Sequence, residues 1–279
     1  MGEKVALIGV GKMGRALLDR LHGAGHRITV YDIAEEPMST ARDMGAATAN
    51  SSAEAAREAV YVHVFVHNDQ EVLDATLGTG GVLSGAGTGC IIFLHSTILP
   101  ETTARVAEAA NVQGITVLDA SVTSVPQKLL AGEGTFLVGG PDEFVSKIRP
   151  YLELLGKAVF HFGPLGSGNV AKIAKNLTNA VERLMWVETV QIVEAAGLDV
   201  RKFLNMAKSV NSSAMINEWD KVIRIEDSHA GPQRARGLFR KDVQHAARLA
   251  DFYGLNLPIT RKTAYTAAKL VEHWEAEAN

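Results

Sequence analysis

Short apolar runs alternate with amphipathic stretches through about the first 160 residues of the chain. Eight runs have the length and composition of strands: KVALIGV, RITVYDI, AATA, VYVHVFV, CIIFLHS, ITVLDAS, GTFLVGG and KAVFHFG. Several are apolar at successive positions, as in strands that helices cover on both faces. The pattern predicts an α/β domain with a doubly wound, mostly parallel sheet.

The strand pattern stops after FGPLGSG, and the pattern of the remaining residues is typical of helices. A stretch from about Asn169 to Gly197 carries apolar residues at spacings of three and four, which predicts one long helix with an inward stripe. Four shorter helices follow in the pattern: DVRKFLNMAKS, SSAMINEWDKVIR, LFRKDVQHAARLADFYG and PITRKTAYTAAKLVEHWEAEA. We therefore expect a sheet domain over residues 1–164 and an all-helical domain over residues 165–279, joined by the long helix.

Composition narrows the possible partners of this 279-residue chain. A formal net charge of −3 gives no global attraction to nucleic acid or to an anionic membrane, so we expect neither as a partner. The N-terminal MGEKVALIGVG reaches glycines too soon for a signal sequence or a membrane span. The single Cys90 cannot form an intrachain disulfide, which favours a reducing compartment, and we expect the cytoplasm.

A glycine-rich turn lies between the first strand and the first amphipathic helix, in VALIGVGKMGRALLDRLHGAGH. Gly9 permits a tight turn, Gly11 permits backbone to approach a pyrophosphate, and Gly14 permits close packing of the helix on the strand. The helix N-terminus would direct free amides toward the phosphates. The candidate dinucleotide-binding residues of this segment are Gly9, Val10, Gly11, Lys12, Met13 and Gly14.

Asp32 ends the second strand, about twenty residues after the glycines. A carboxylate at this place accepts hydrogen bonds from the adenosine ribose hydroxyls and repels a ribose 2′-phosphate. The next residues, Ile33 and Ala34, supply no arginine that would neutralise such a phosphate. We therefore predict NAD, in preference to NADP, as the cofactor.

Four segments in chain order, GVGKMG, HSTILP, DASVTSVP and GSGNVAKIAKN, together with FRKD at 239–242, resemble motifs of one family. The chain is similar to the β-hydroxyacid dehydrogenases, which include 3-hydroxyisobutyrate dehydrogenase and tartronate semialdehyde reductase. This resemblance implies an N-terminal Rossmann domain, an all-helical C-terminal domain, a catalytic lysine and no metal. It also implies a small carboxylate substrate and a homodimer or homotetramer.

The segment GSGNVAKIAKN matches the family's lysine motif. The resemblance makes Lys172 the catalytic lysine and Asn176 its partner, and their spacing places both on one helix face. Lys175 stands where the family usually has a second asparagine. This second cation either lowers the proton affinity of Lys172 by repulsion or extends to solvent, and we favour solvent.

By the same resemblance, Thr97 of HSTILP lies beside the nicotinamide end of the cofactor. Val66 and His67 occupy the place of the family's Leu-Pro against the dinucleotide, and Lys241 of FRKD closes over the cofactor from the C-terminal domain. These residues complete the candidate cofactor site.

The segment DASVTSVP departs further from its family pattern, Asp-Ala-Pro-Val-Ser-Gly-Gly. Thr123 replaces the serine whose hydroxyl holds the substrate carboxylate, and Ser124 and Val125 replace two glycines. Because valine rarely adopts positive φ, we expect a loop of different shape, in which Thr123 and Ser124 bind the carboxylate.

The activity implied is NAD-dependent hydride transfer to and from a small β-hydroxy acid, with Lys172 as general base in oxidation and general acid in reduction. Two alternatives stay open: an imine reductase-like enzyme, whose known examples generally lack this lysine, and a non-catalytic NAD-binding protein.

Three histidines near strand ends, His63, His67 and His95, have no supporting metal-ligand spacing, so structural roles are favoured over a metal site.

Overall fold

The structure is a computed structural model that describes residues 2–210 and 233–277. Its sheet has eight strands in the order β3-β2-β1-β4-β5-β6-β7-β8, and every neighbouring pair is parallel except β6 and β7. The strands are β1 (Lys4–Ile8), β2 (Arg27–Tyr31), β3 (Ala47–Thr48), β4 (Tyr61–Val64), β5 (Ile91–Leu94), β6 (Thr116–Thr123), β7 (Thr135–Gly139) and β8 (Ala158–His161). The prediction of a mostly parallel, doubly wound sheet is confirmed.

Two apolar cores, one on each face of the sheet, explain the uninterrupted apolar runs. Val5 and Leu7 of β1 belong to one core, and Ala6 and Ile8 belong to the other. The flanking helices are α1 (Lys12–Gly23), α2 (Glu35–Asp43), α3 (Ser52–Ala56), α4 (Asp69–Leu77), α5 (Pro100–Asn111), α6 (Pro126–Leu130) and α7 (Asp142–Leu155). Because successive side chains of a strand point to opposite faces, both faces must be apolar when helices cover both.

The second part of the chain is helical. It comprises α8 (Ser167–Ala195), α9 (Val200–Val210), α10 (Gln233–Phe252) and α11 (Pro258–Glu277). The helix expected at 212–224 lies outside the described residues. Trp186 of α8 packs with Leu204 of α9, and Ala180 of α8 packs with Val243 of α10. The all-helical class predicted for this part is confirmed by the described helices.

The chain divides into two compact units between Lys172 and Ile173, inside α8. Our boundary at residues 164 and 165 stays a prediction. Within residues 2–210 and 233–277, no helix is both long enough and apolar enough to cross a membrane.

The strand order places the candidate cofactor residues at the carboxyl ends of the sheet's strands. Strand order reverses between β1 and β4, and in open α/β sheets the crevice beyond the carboxyl ends at such a reversal binds ligands. Gly9 follows β1, Asp32 follows β2, Val66 follows β4 and Thr97 follows β5. The topology therefore brings together residues that are up to 88 positions apart in the sequence.

Candidate active site

The three glycines after β1 differ in how closely the rest of the protein packs around them. Gly9 has φ of +90°, and a Cβ on it would lie 2.4 Å from the carbonyl oxygen of Phe65. A Cβ on Gly14 would lie 2.1 Å from the carbonyl oxygen of Gly9. A Cβ on Gly11, which has φ of −66°, meets no protein atom within 4 Å. The protein's own packing therefore requires Gly9 and Gly14, whereas the space over Gly11 is open.

The Asp32 carboxylate is part of the glycine turn. Its Oδ2 accepts a hydrogen bond from the Val10 amide at 2.8 Å, and its Oδ1 accepts one from the Ala34 amide at 3.0 Å. Each oxygen keeps a further lone-pair direction for another donor. Asp32 therefore braces the turn and can still accept hydroxyl donors.

An arginine that the sequence analysis did not consider also lies at this turn. Arg15 donates from Nη2 to both carboxylate oxygens of Glu36 at 2.6 Å and from Nε to the Val10 carbonyl oxygen at 3.2 Å. Glu36 lies in the first turn of α2, directly after the loop that contains Asp32. The cation that Arg15 brings to this turn is therefore already paired with a carboxylate.

The ends of β4 and β5 are joined by a buried serine. Ser96 donates from Oγ to the Val66 carbonyl oxygen at 2.7 Å and accepts from the Val66 amide at 3.1 Å. Ser96 thereby fixes the backbone of Val66 at the end of β4 and places Thr97, the residue after Ser96, at the adjacent end of β5. Sequence analysis identified Val66 and Thr97 but missed Ser96.

His67 is held by the start of α4. Its amide donates to Glu71 Oε2 at 2.9 Å, and its Nδ1 lies 3.0 Å from the same oxygen. The side chain of Asn68 caps α4 by accepting from the Glu71 amide. The spacing Asn68-x-x-Glu71 resembles a capping box, and that signal could have identified Glu71 from the sequence.

A buried carboxylate anchors the N-terminus of α8. Asp119, on β6, accepts hydrogen bonds from the amides of Gly166 at 2.7 Å and Asn169 at 2.8 Å. Burial raises the pKa of Asp119, and the hydrogen bonds from backbone amides oppose this rise. A Cβ on Gly139 or Gly168 would lie within 2.7 Å of its oxygens, so both glycines make room for the carboxylate. Asp119 thereby fixes the helix that carries Lys172.

Lys172 and Thr123 lie together. Lys172 donates from Nζ to the Val122 carbonyl oxygen at 2.6 Å, and its Nζ lies 3.4 Å from Thr123 Oγ1. Ser124, the next residue, is half-buried and donates from Oγ to the Val125 carbonyl oxygen at 3.1 Å. Val125 has φ of −107° and precedes α6, so this loop forms without positive φ at the two positions where the family has glycines.

A carboxylate of α10 holds Asn176 within the helical unit. Asn176 Nδ2 donates to Asp242 Oδ2 at 2.9 Å, and Lys241 Nζ lies 3.4 Å from Asp242 Oδ1. The Lys175 side chain is exposed at the helix surface, and its role stays a prediction. Desolvation lowers the pKa of Lys175, and the negative charge of Asp242 opposes this change. Sequence analysis noted FRKD for its lysine and missed the aspartate beside it.

The histidines of β4 and β5 form a buried chain of hydrogen bonds. His63 Nδ1 lies 2.7 Å from His95 Nε2, and His63 Nε2 lies 2.7 Å from the Tyr151 hydroxyl. His95 Nδ1 lies 2.7 Å from the carbonyl oxygen of Ala120 on β6. Burial lowers the pKa of His95 to about 4 and that of His63 well below its ordinary value. Across the described parts of the chain, no three His, Cys, Asp or Glu side chains cluster as metal ligands would.

We expect these histidines to make the free energy of unfolding depend on pH in the acid range. The unfolded chain binds a proton at His95 below its ordinary pKa of 6.5, whereas the folded chain does so only below about 4. Stability is therefore complete above about pH 6.5 and falls as the pH falls toward 4, by about 3 kcal/mol for His95 alone. The groups that face His63 are His26, Tyr151 and His95.

Urea unfolding between pH 4 and pH 7 tests this prediction. The free energy of unfolding should decrease below pH 6.5 in the unaltered chain, and the decrease should become smaller in His95→Phe, which removes one titrating group. A pH dependence that is the same in both proteins would contradict the prediction.

Two family descriptions together match nearly the whole chain. The NAD binding domain of 6-phosphogluconate dehydrogenase matches residues 4–163, and the NAD-binding domain of NADP-dependent 3-hydroxyisobutyrate dehydrogenase matches residues 166–279. The chain belongs to the β-hydroxyacid dehydrogenase family, and it is an NAD(P)-binding dehydrogenase.

Individual relatives agree with this assignment. The chain is 31% identical to a 3-hydroxyisobutyrate dehydrogenase of Pseudomonas aeruginosa over 91% of this chain and 88% of that protein. It is 32% identical to an NAD-dependent L-serine dehydrogenase of the same species over 92% of this chain and 88% of that protein. A solved structure of Mycobacterium tuberculosis 3-hydroxyisobutyrate dehydrogenase with L-serine superposes with a TM-score of 0.81 at 25% identity, covering 98% of this chain and 94% of that one.

Imine reductases share the fold at a greater distance. The Myxococcus stipitatus enzyme, solved with NADP⁺, has a TM-score of 0.65 and 20% identity, covering 97% of this chain and 94% of that one. This likeness concerns the fold alone.

Proposed function

We propose that the chain is an NAD-dependent oxidoreductase that transfers hydride between a small β-hydroxy acid and the nicotinamide, with Lys172 as general acid and base. One observation carries the proposal: the amine of Lys172 lies beside the hydroxyl of Thr123, at the end of β6. A proton-transfer group and a hydrogen-bond donor suited to a carboxylate therefore lie side by side.

The glycine turn suits a dinucleotide. The open space over Gly11 leaves room for a pyrophosphate, and α1 directs its N-terminal amides there. In this proposal residues 9–14 and Asp32 hold the adenosine half, and Val66, His67 and Thr97 lie along the other half, with Lys241 contributing from α10. When bound, NAD supplies the hydride acceptor.

The chain's own groups hold and move the proton. Nζ of Lys172 is held by the Val122 carbonyl and can take the proton of a substrate hydroxyl when it is neutral. Asn176 orients the hydroxyl, and its amide orientation is set by the bond to Asp242. Thr123 and Ser124 donate to the carboxylate, for which the Ser124 hydroxyl must rotate away from the Val125 carbonyl.

The proposed activity is tested with a panel of small 3-hydroxy acids and NAD, followed by absorbance of the reduced cofactor. We expect oxidation of at least one member, and 3-hydroxyisobutyrate and L-serine belong in the panel because they are the substrates named for relatives. Cyclic imines with reduced cofactor test the alternative enzyme class. NAD binding without turnover of any acid or imine would support a non-catalytic role and contradict the proposal.

A preference for NAD over NADP follows from the charges around Asp32. A 2′-phosphate would meet the carboxylates of Asp32 and Glu36, and Arg15, a cation at this turn, is already paired with Glu36. We expect NAD to bind at least about tenfold more tightly than NADP. Calorimetric titration of both cofactors measures the ratio, and tighter binding of NADP would overturn this specificity.

Two glycine substitutions separate folding from cofactor binding. Gly11→Ala should leave the free energy of unfolding within about 1 kcal/mol, because the added methyl meets no protein atom, but should weaken NAD binding at least about tenfold. Gly14→Ala should instead destabilise the fold by about 2 kcal/mol or more, because its methyl collides with the Gly9 carbonyl. Unfolding curves and NAD titrations of both variants check the pair; unchanged NAD affinity in Gly11→Ala would contradict the assigned site.

We further propose that the protein assembles as a homodimer or homotetramer through its helical unit. Large apolar side chains are exposed there, including Ile192 on α8 and Phe252 on α10, which are 71% and 75% exposed. Sedimentation equilibrium tests this, and a monomer at micromolar concentration would contradict it. The cytoplasmic location expected from the single Cys90 stays a prediction.

A further inference from the structure

Strand β6 is longer than its neighbour β5 and extends beyond the last residue of β5 that pairs with it. Its pairing with β5 ends at Leu94 and Asp119, whereas its pairing with β7 continues to Thr123. Alternate carbonyls of a strand point to the same edge, so the carbonyls of Ala120 and Val122 both lie on the edge that β5 no longer covers. Side chains supply the missing donors: His95 Nδ1 at Ala120 and Lys172 Nζ at Val122.

The protons in this chain of groups have one consistent arrangement. A carbonyl oxygen only accepts, so the His95 Nδ1 carries a proton and its Nε2, in the neutral ring, accepts. His63 must then donate from Nδ1 and accept at Nε2, and the Tyr151 hydroxyl donates to it. The bonds therefore run one way, from Tyr151 on α7 through two neutral imidazoles to Ala120.

This hydrogen-bond chain is buried and shielded from water. His63 is fully buried, and Tyr151 and Phe93 lie against it with ring centroids 5.8 Å and 5.0 Å away. His95 also donates its amide to the Val64 carbonyl, which fixes the ring at the end of β5. The Ala120 carbonyl therefore has a donor, His95, whose position is determined by β4, β5 and α7.

We propose that Tyr151, His63 and His95 are positioning residues that replace strand pairing at the open edge of β6 and so hold the Val122 carbonyl where it receives Lys172. The significance for turnover rests on the proposed role of Lys172. Where the Lys172 amine is held can be tested without any substrate.

The first test determines the tautomers. In ¹⁵N-labelled protein at pH 7.5, long-range ¹H–¹⁵N correlation spectra should show both His63 and His95 with the proton on Nδ1, assigned by the loss of signals in His63→Gln and His95→Gln. A proton on Nε2 of either ring, or a protonated ring, would overturn the proposed direction of the chain.

The second test measures the amine. Brief acetylation with acetic anhydride, followed by peptide mass spectrometry, gives the modification rate of Lys172 relative to the exposed Lys147. In His95→Leu, which removes the donor to Ala120, we expect the relative rate to change at least about threefold. In His95→Asn, whose amide nitrogen can reach the same carbonyl, we expect a rate close to that of the unaltered chain.

A matched control separates positioning from general loss of stability. Thr76→Val also removes a fully buried donor, from Thr76 Oγ1 to the Val72 carbonyl in α4, at a distance from β6 in the sequence and in a different element. It should leave the relative rate at Lys172 unchanged. An unchanged rate in His95→Leu, or equal changes in His95→Leu and Thr76→Val, would overturn the proposal. Because no arm requires turnover, absence of dehydrogenase activity would leave these results interpretable.

Discussion

Lys172→Ala is expected to reduce turnover of the β-hydroxy acid by at least about a hundredfold while NAD still binds. The reason is that the variant removes the group that takes the hydroxyl proton and leaves the glycine turn and Asp32 untouched. The lysine is not part of the apolar cores, so the fold should persist. Initial rates at saturating NAD, together with calorimetric NAD titration, measure both quantities.

Two control variants sharpen this experiment. Lys172→Arg keeps a positive charge and a donor for the Val122 carbonyl but does not release a proton near neutral pH, so it should be as inactive as Lys172→Ala. Lys175→Ala removes an exposed lysine from the same helix and should keep most activity. Full activity of Lys172→Arg would show an electrostatic role, and full activity of Lys172→Ala would refute the assignment.

Asp119→Ala should destabilise the protein by about 3 kcal/mol, the second large effect that we expect. The substitution leaves the buried amides of Gly166 and Asn169 without their charged acceptor at the start of α8. Because α8 carries Lys172, turnover should fall as well. Urea unfolding and initial rates at a temperature well below the transition measure the two effects.

Asp119→Asn and Asp142→Ala are the controls for this prediction. The asparagine keeps one acceptor oxygen but turns an amide group toward an N–H donor, so it should rescue little of the loss. Asp142 lies in the first turn of α7 and its side chain is 93% exposed, so its loss should cost less than about 1 kcal/mol. Equal losses at positions 119 and 142 would show that Asp119 does not anchor α8.

The sheet and its order of elements were predictable because the signals are local. Apolar runs, the glycine turn and Asp32 at a strand end each appear within a short window, and all eight strands formed where the pattern placed them. The resemblance to a family named Lys172 and Thr123 as separate site residues, and their contact was not predicted, since nothing in the spacing of 49 residues indicates it. The roles of the remaining predicted site residues stay predictions.

Other features could not be predicted because they depend on register across the sheet. Asp119 interrupts an apolar run, but only the position of β6 beneath α8 shows what the carboxylate binds. The bond between His63 and His95 requires neighbouring strands in one register, and His63 pairs with Phe93, two residues before His95. Arg15 reaches Glu36 across the glycine turn, so a search confined to the residues after Asp32 missed it.

A crystal structure with NAD and a bound 3-hydroxy acid, or its unreactive analogue, is the most direct test of the central claim. We expect the substrate hydroxyl to lie within hydrogen-bond distance of Lys172 Nζ and Asn176, with the carboxylate on Thr123 and Ser124. A carboxylate bound elsewhere, with Lys172 Nζ on the Val122 carbonyl and out of reach of the hydroxyl, would contradict it.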